Sequence, residues 1–218
     1  MISERLKLIA SLIPPAKRVA DVGCDHGYLL WEAFEKHGLE YAVAIDNKEG
    51  PLRAAMNNLK DRPFFKNIRF SLSDGLADLK EGEVEGVVIA GMGGITITEI
   101  LAKGLDKHRG LKYILQANKN LYELRKFLYE AGMEIASEKI IFEDGQYYEI
   151  IVSETAKKPL HYDDDDLLFG PVLRKEKPEL FLKKLREELD RYQKIGDGFV
   201  HEKIEKIKEQ LNEDWRNC

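Results

Sequence analysis

Cysteine is scarce in this sequence: Cys24 and Cys218 are the only two in 218 residues, and they lie far apart. Two such residues give no basis for a disulfide framework, so we expect a protein of a reducing compartment, the cytoplasm. Long apolar runs are also missing, so no membrane-spanning segment is predicted and we expect no membrane partner. Residues 1–15 are amphipathic with interleaved charge, which is not the pattern of a signal peptide.

Basic residues are not in excess. The sequence has 34 Lys and Arg against 39 Asp and Glu, a net charge of −5, whereas nucleic-acid-binding proteins usually carry a basic footprint. The charge is uneven, because residues 138–166 are acidic and residues 53–69 are basic, with Arg53, Lys60, Arg62, Lys66 and Arg69 against Asp61 alone. A local basic face is therefore compatible with the sequence, although an ordinary solvated helix face is the favoured explanation.

The most informative stretch is residues 18–29, RVADVGCDHGYL. It predicts a short buried strand that closes at Asp21 and Gly23, then a turn, and then a helix that Gly27 opens near Tyr28. A strand, a glycine turn and a helix in this order begin a doubly wound α/β sheet. Such a turn brings backbone N–H groups and a helix N-terminus to one point, where nucleotide-like ligands bind.

The spacing within this turn indicates the kind of ligand. A dinucleotide site needs G-x-G-x-x-G so that the backbone can approach a pyrophosphate, but Asp25 occupies the position of the middle glycine. A carboxylate repels a pyrophosphate and attracts a cation. S-adenosylmethionine carries a sulfonium and an ammonium group and has no phosphate, so the turn favours a methyl donor over NAD. The other interpretation is an ordinary α/β turn with an incidental aspartate.

Acidic residues also follow the next two predicted strands. Asp46 lies about 20 residues after the glycine turn, where an acid typically binds the ribose hydroxyls of an adenosine cofactor. Its alternative role is to cap the next helix, for which Asn47 is better suited. Asp74 and Gly75 follow the third strand, where the acid either accepts from an adenine amino group or belongs to an ordinary turn.

A third turn, AGMGG at residues 90–94, follows the fourth predicted strand. Its glycines indicate a backbone that bends freely and approaches another group closely. We place Ala90, Gly91, Met92 and Gly93 at the donor site, where the methyl group would meet its acceptor. The turn lacks the N/D-P-P-Y/F pattern of methyltransferases that act on exocyclic amino groups, which favours a different type of nitrogen.

Four further side chains are candidates for substrate contact. Gln116 and Asn118 end the fifth strand, where their amides either bind a base edge or organise the loop, the second being favoured. Arg5 lies on a first helix predicted over residues 3–13, where ordinary surface charge is the simpler explanation. Tyr28 begins the helix that follows the first turn.

Alternating strands and helices predict an α/β fold with a Rossmann-like, seven-stranded methyltransferase sheet. Two strands close the sheet and are joined by Glu143-Asp144-Gly145, a hairpin signal that makes the last strand antiparallel. The strands are predicted over residues 19–22, 41–45, 68–72, 86–90, 111–117, 133–142 and 146–153.

The pattern changes after residue 157. Asp163 to Asp166 form an acidic run that is expected to be solvated. Apolar residues then recur at helical spacing in two seams on either side of Gly196-Asp197-Gly198, which predicts an antiparallel helical hairpin or coiled coil. The seams are Leu182, Leu185, Leu189 and Tyr192, then Val200, Ile204, Ile207, Leu211 and Trp215. We expect a methyltransferase domain at 1–157 and a C-terminal helical arm at 158–218, which either contacts a partner or packs on the domain itself.

Four motifs taken together resemble the bacterial TrmK family, tRNA methyltransferases that modify N1 of adenine 22. They are DVGCDHGYL at 21–29, AIDN at 44–47, SDGL at 73–76 and AGMGG at 90–94, and RLKLIASLI at 5–13 is similar to the first helix of that family. The resemblance covers essentially the whole chain. It implies S-adenosylmethionine as cofactor, tRNA as partner and no metal.

The resemblance also implies a set of cofactor-site residues. They are Gly23, Cys24, Asp25, Gly27, Asp46, Asn47, Asp74, Gly75, Gly91 and Gly93, to which we add Asp21, Ala90 and Met92. The family pattern has a proline after the glutamine, as in Q-P-N, where this chain has Ala117. This difference leaves the geometry of that loop and the role of Asn118 open.

The implied chemistry agrees with these residues. Adenine N1 has a free lone pair, so no proton must leave before attack, and the product is a cation. Asp25 would supply negative charge near this cation and His26 would orient the base or the carboxylate, with no obligatory general base. We expect a monomeric enzyme. The alternatives are a methyltransferase of a small molecule or protein, and a regulator that binds the methyl donor without catalysis.

Overall fold

The computed structural model describes residues 2–195 and 201–212, in which seven strands and nine α-helices are present. No helix in these ranges is both long and apolar enough to cross a membrane. The strands are β1 (Arg18–Val22), β2 (Tyr41–Asp46), β3 (Ile68–Leu72), β4 (Gly86–Met92), β5 (Lys112–Ala117), β6 (Met133–Glu143) and β7 (Gln146–Thr155). The helices are α1 (Glu4–Ser11), α2 (Tyr28–Lys36), α3 (Glu49–Leu59), α4 (Gly94–Gly104), α5 (Leu121–Glu130), α6 (Asp164–Phe169), α7 (Pro171–Glu176), α8 (Glu179–Ile195) and α9 (His201–Asn212).

All seven strands form one sheet in the order β3-β2-β1-β4-β5-β7-β6. The pairs among β1 to β5 are parallel, and β7 is antiparallel to both β5 and β6, which confirms the predicted methyltransferase sheet. Asp144 and Gly145 join β6 to β7 with φ values of 49° and 77°. Two successive positive φ angles are typical of the two-residue hairpin turn that Asp-Gly favours.

The sheet is buried on both faces. One face packs with Ile97, Leu101 and Leu124 from α4 and α5, and the other packs with Ile9 and Leu30 from α1 and α2. The central strands are therefore continuous apolar runs, as the sequence pattern indicated. This packing leaves the carboxyl ends of β1, β2 and β4 together at one edge of the sheet, where the polar turns lie.

The acidic run at residues 163–166 is only partly solvated: Asp163 and Asp164 are exposed, as predicted, whereas Asp165 and Asp166 are half-buried. Asp163 caps α6, accepting from the backbone N–H of Asp166 at 2.6 Å, while the Asp166 side chain accepts from the backbone of Asp163 at 3.1 Å. Arg174 then donates to Asp163 at 2.8 Å and to Asp166 at 2.6 Å. The sequence did not reveal these contacts because the compensating cations, including Lys206, lie later in the chain.

The predicted helical hairpin is present as α8 and α9. Lys203 at the start of α9 lies over the ring of Tyr192 near the end of α8, 5.1 Å from its centroid. At the other end, Lys177 donates to the carbonyl of Gln210 at 2.8 Å, so the two helices run antiparallel. The predicted turn at 196–198, together with Val200 and Trp215, lies outside the described residues.

The first part of the hairpin also packs against the rest of the protein. Phe181, Leu185 and Ile207 are fully buried in a cluster with Phe169 and Leu173 of α6 and α7. These two short helices, which the sequence did not predict, lie between the sheet and the hairpin. The base of the arm therefore packs on the protein itself.

A buried ionic network fixes this junction. Arg125 of α5 is fully buried and donates to Glu138 of β6 at 2.9 Å and to Glu149 of β7. Glu138 also accepts from the backbone N–H groups of Val172 and Leu173 at 2.9 and 3.2 Å. Glu149 is shared with Lys184 of α8 at 2.5 Å. The two carboxylates that Arg125 binds thus connect the strands to the short helices and to the arm.

The predicted basic segment at 53–69 is less cationic than its composition indicates. Arg69 lies in ion pairs with Glu83 and Asp78, each at 2.7 Å, and these acids come from outside the segment. Arg53 pairs with Glu49 at 2.5 Å. The net positive charge of this face is therefore smaller than predicted. A count of charges within the segment does not include acids that pair with it from outside.

Replacing Arg125 with methionine should lower the free energy of unfolding by about 3–5 kcal/mol, because two buried carboxylates lose their shared guanidinium partner. The neighbouring Lys126 pairs with Glu130 at 4.0 Å and is exposed, so Lys126→Met should change it by less than about 0.5 kcal/mol. Urea denaturation of both variants measures the difference. Equal losses would contradict the assigned role of the network.

Candidate active site

A cavity of about 640 Å³ opens at the carboxyl edge of the sheet, where β1, β2 and β4 end. Most of the predicted site residues line it. From the predicted cofactor set these are Asp21, Gly23, Cys24, Asp25, Asp46, Asn47, Asp74, Gly75, Ala90, Gly91 and Met92. From the predicted catalytic and substrate set they are His26, Arg5, Tyr28 and Gln116.

Three predicted residues, Gly27, Gly93 and Asn118, do not line the cavity. Gly27 is the N-cap of α2 with φ 72°, and its N–H donates to the carbonyl of Cys24 at 2.7 Å, which closes the first turn. Gly93 is the N-cap of α4. Asn118 bonds the backbone of the third turn rather than facing the cavity. These residues shape the cavity wall from outside.

The first turn is held by a backbone conformation that glycine adopts most easily. Gly23 has φ 77°, and its N–H and that of Cys24 donate to the carbonyl of Ile45 at 2.8 and 3.0 Å. A Cβ atom on Gly23 would lie 2.3 Å from Cε of Met92. The first and third turns therefore touch at Gly23, and a larger residue there would displace the Met92 side chain.

Asp21, in the wall of the cavity, has a raised pKa. Its side chain is almost fully buried, and burial, with Asp46 and Asp25 nearby, raises the pKa of Asp21 to about 7. The same burial and the same carboxylates raise the pKa of the Cys24 thiol, so this cysteine is an un-ionised packing residue. The cavity therefore carries negative charge that a cationic ligand would compensate.

Asp25 and His26 lie at the open side of the cavity. Asp25 adopts φ 45° and its side chain is 70% exposed. The Nε2 atom of His26 is 3.8 Å from an oxygen of Asp25, and the imidazole stacks on the Tyr28 ring with centroids 5.7 Å apart. The structure thus places an exposed carboxylate beside two exposed rings at one rim of the cavity.

Asp46 lies at the end of β2 and accepts from the backbone N–H of Lys48 at 2.9 Å. Helix α3 begins at Glu49, its N-cap is Lys48, and no side chain caps it. The alternative in which Asn47 caps this helix is therefore wrong, because Asn47 precedes the cap position. Both Asp46 and Asn47 remain at the cavity.

The far wall of the cavity was missed by the sequence analysis. Thr96, Glu99, Ile100 and Lys103 line it from α4, and Lys103 pairs with Asp74 at 2.7 Å. Their spacing places them on one face of a helix that follows the third turn, and this periodicity could have identified them. Ser73, within the quoted SDGL motif, and Leu6, Val22, Leu29, Lys48 and Pro51 also line the cavity.

Arg5 is not the ordinary surface charge that was favoured. Its Nη1 atom donates to Oε1 of Gln116 at 3.2 Å and to Oδ1 of Asn118 at 3.5 Å, and its guanidinium lies 4.4 Å from the centroid of the Tyr148 ring. Gln116 Oε1 also accepts from the N–H of Gly91 at 3.2 Å. The amides of Gln116 and Asn118 therefore organise the third turn, as was favoured, and Arg5 joins them.

These features fit S-adenosylmethionine. The sulfonium and ammonium groups of the donor are cations, and the lining supplies carboxylates at Asp21, Asp25 and Asp46. The volume of the cavity suits a ligand of nucleoside size. A pyrophosphate would meet the same carboxylates with a repulsive charge.

The raised pKa of Asp21 predicts a pH dependence of stability in the ligand-free protein. Between about pH 4 and pH 7 the folded state retains a proton that the unfolded state releases, so the free energy of unfolding falls as pH rises through this window. Asp21→Asn removes this dependence and should be more stable than the wild type at pH 8. Chemical denaturation at pH 5 and pH 8 measures both slopes, and identical slopes in the two proteins would contradict the assignment.

Comparison with known proteins gives one family. A family model described as TrmK, tRNA (adenine(22)-N(1))-methyltransferase, matches residues 19–217. The chain is 37% identical over 199 residues to the tRNA (adenine(22)-N(1))-methyltransferase of Bacillus subtilis, covering 89% of this chain and 84% of that protein.

Solved structures agree with this match. A Streptococcus pneumoniae protein crystallised in complex with S-adenosyl-L-methionine superposes with a TM-score of 0.89 at 36% identity, covering 97% of this chain and 100% of that one. Mycoplasma capricolum TrmK in complex with S-adenosyl-homocysteine superposes with a TM-score of 0.84 at 28% identity, covering 97% and 98%. The chain belongs to the TrmK family of S-adenosylmethionine-dependent tRNA (adenine(22)-N(1))-methyltransferases.

Proposed function

We propose that this protein transfers the methyl group of S-adenosylmethionine to N1 of adenine 22 in tRNA, and that its residues act mainly by positioning and electrostatics. The observation that carries the proposal is the acidic cavity of a TrmK-family sheet, whose carboxylates suit a cationic donor. When bound, S-adenosylmethionine supplies an electrophilic methyl group on a positively charged sulfur.

Asp25 is the residue that we assign to electrostatic stabilisation of the acceptor. N1 of adenine attacks with its own lone pair, so the reaction needs no general base, and positive charge develops on the ring. The exposed carboxylate of Asp25 at the rim of the cavity would stabilise this charge. His26, 3.8 Å away, would orient the carboxylate or the base.

The target base must leave its helix to react, because N1 lies on the pairing edge of adenine. Tyr28 and His26 present exposed rings at the rim of the cavity, where an extruded base could stack. Arg5 and Gln116 also line the cavity, where their polar groups lie within reach of a bound base. We therefore assign Tyr28, Arg5 and Gln116 to substrate contact, whereas Asn118, which the sequence also offered for this role, organises the third turn.

The tRNA backbone would bind the remaining basic face and the arm. Lys60 and Lys66 are exposed and form no ion pair within residues 2–195 and 201–212. Arg62 lies 3.5 Å over the ring of Trp31 and pairs with Glu35 at 3.6 Å, so the two lysines carry most of the uncompensated charge. We propose a methyltransferase domain at 1–157 that carries the site and a C-terminal helical arm at 158–218 that extends this contact. We further propose a cytoplasmic monomer that needs no metal, since the adenine lone pair requires no metal activation.

The proposal predicts that the purified protein transfers labelled methyl groups from S-adenosylmethionine to unmodified tRNA carrying adenine 22. The matched control is the same tRNA with guanine at position 22, which should remain unlabelled because its N1 carries a proton. Digestion and mass spectrometry locate the product. Labelling of the control, or labelling only of protein or small molecules, would refute the tRNA assignment.

The proposed role of Asp25 predicts a selective loss of turnover in Asp25→Asn. Asparagine tolerates the positive φ of this position and removes only the charge. We expect kcat to fall by roughly tenfold to a hundredfold, a range typical of lost electrostatic stabilisation, with the dissociation constant of the donor changed less than about threefold. Asp106→Asn, which changes an exposed acid outside both the cavity lining and the basic segment, is the charge-matched control. Equal kcat values in the two variants would eliminate Asp25 from the mechanism.

A further inference from the structure

The first helix reaches the third turn through one side chain. Arg5 donates from Nη1 to both Gln116 and Asn118, although these residues lie more than a hundred positions away in sequence. The Nε2 group of Gln116 donates to Oδ1 of Asn118 at 3.0 Å, and Nδ2 of Asn118 donates to the carbonyl of Gly91 at 2.9 Å. The four residues form one chain of hydrogen bonds that ends on the backbone of Gly91.

Arg5 reinforces the direction of these hydrogen bonds. A guanidinium has only donors, so it favours the rotamers in which both amide oxygens face it. The N–H and the carbonyl of Gly91 favour the same rotamers, because Gln116 accepts from one and Asn118 donates to the other. Without Arg5 the amides would lose one of the two contacts that hold them in place.

These side-chain hydrogen bonds hold both the N–H and the carbonyl group of Gly91 in the third turn. Gln116 accepts from the Gly91 N–H, Asn118 donates to the Gly91 carbonyl, and the Asn118 N–H donates to the carbonyl of Met92 at 2.8 Å. Gly91 has φ 78° and lies where β4 shifts register against β5. The position of Met92, which touches the donor turn at Gly23, therefore depends on these amides.

Arg5 itself is placed by the β6–β7 hairpin. The carboxylate of Glu143, the last residue of β6, accepts from the backbone N–H of Glu4 at 2.6 Å and from that of Arg5 at 3.3 Å. The ring of Tyr148 on β7 lies beneath the guanidinium. Glu143 does not line the cavity, and its hydrogen bonds connect it to the cavity through α1.

Glu143 completes the N-terminal cap of α1 and ties it to the hairpin. Ser3 accepts from the N–H of Leu6 at 3.2 Å as the N-cap. Glu143 accepts from the N–H groups of Glu4 and Arg5, two donors of the first turn that Ser3 leaves unpaired. The carboxylate therefore fixes the backbone that carries the Arg5 side chain relative to β6 and β7.

We propose that Glu143 is a positioning residue for methyl transfer, which acts by fixing Arg5 and, through it, the amides that hold the Gly91–Met92 turn against the donor. This inference rests on the proposed function and adds a determinant of rate outside the cavity. The hairpin also contacts the C-terminal arm, since Lys183 of α8 lies over the Phe142 ring at 5.6 Å. The arm therefore adjoins the same positioning element.

The test compares Glu143→Ala with Glu134→Ala, which removes the same charge from an exposed position at the other end of β6. We expect Glu143→Ala to lower kcat on tRNA about threefold to tenfold, as small misplacements of reacting groups do, with the dissociation constant of S-adenosylmethionine within about twofold of wild type. Glu143→Gln retains an acceptor oxygen and should restore kcat to within about twofold. Glu134→Ala should leave kcat unchanged.

A double-mutant cycle with Arg5→Ala identifies the route. If Glu143 acts through Arg5, adding Glu143→Ala to Arg5→Ala should change kcat by less than about twofold, whereas independent effects multiply. Multiplying effects, or equal kcat values for Glu143→Ala and Glu134→Ala, would overturn the inference. If Glu143→Ala does not fold, Tyr148→Leu tests the same placement of Arg5 and should reproduce the loss of kcat with donor binding intact. Wild-type protein that methylates no tRNA would refute the proposed function instead.

Discussion

Carboxylates crowded at the carboxyl edge of the sheet repel one another unless a cation compensates them, and the site depends on this constraint. Asp21, Asp25 and Asp46 converge because β1 and β2 are parallel neighbours whose ends lie side by side. Burial makes the repulsion costly at Asp21, whose pKa is raised to about 7. A methyl donor that carries a sulfonium and an ammonium group compensates this cost, so the cavity is electrostatically prepared for one class of ligand.

Backbone conformation brings the first turn, at Gly23, and the third turn, at Gly91, together. Gly23 and Gly91 both have positive φ, and Met92 fills the space that a side chain on Gly23 would occupy. Because β1 and β4 are adjacent parallel strands, this contact follows from the strand order of the sheet. The glycines that predicted nucleotide binding therefore also set the distance between the first and third turns of the cavity.

The sequence predicted the sheet, its strand directions and most of the cavity lining, because these depend on local patterns. Apolar runs give strands, and acids and glycines directly after them lie at the carboxyl edge. The sequence could not predict the contacts of Arg5, whose amide partners lie 111 and 113 residues away, or those of Arg125, whose partners lie 13 to 43 residues away, because these residues become neighbours only in the fold. The ion pairs of the acidic run at 163–166 were missed for the same reason, since Arg174 and Lys206 come from elsewhere in the chain.

The difference in exposure between the acids explains why Asp25, rather than Asp21, suits the acceptor. A carboxylate that stabilises a developing cation must also release the cationic product. At 4 Å, two unit charges interact with about 1 kcal/mol in bulk water and about 4 kcal/mol near a protein surface, so a deeply buried acid would retain N1-methyladenine. Asp25 is 70% exposed, whereas the residue Asp21 is 4% exposed. In the proposed mechanism the exposed carboxylate of Asp25 would therefore lower the barrier without trapping the product, while the buried carboxylate of Asp21 would face the donor.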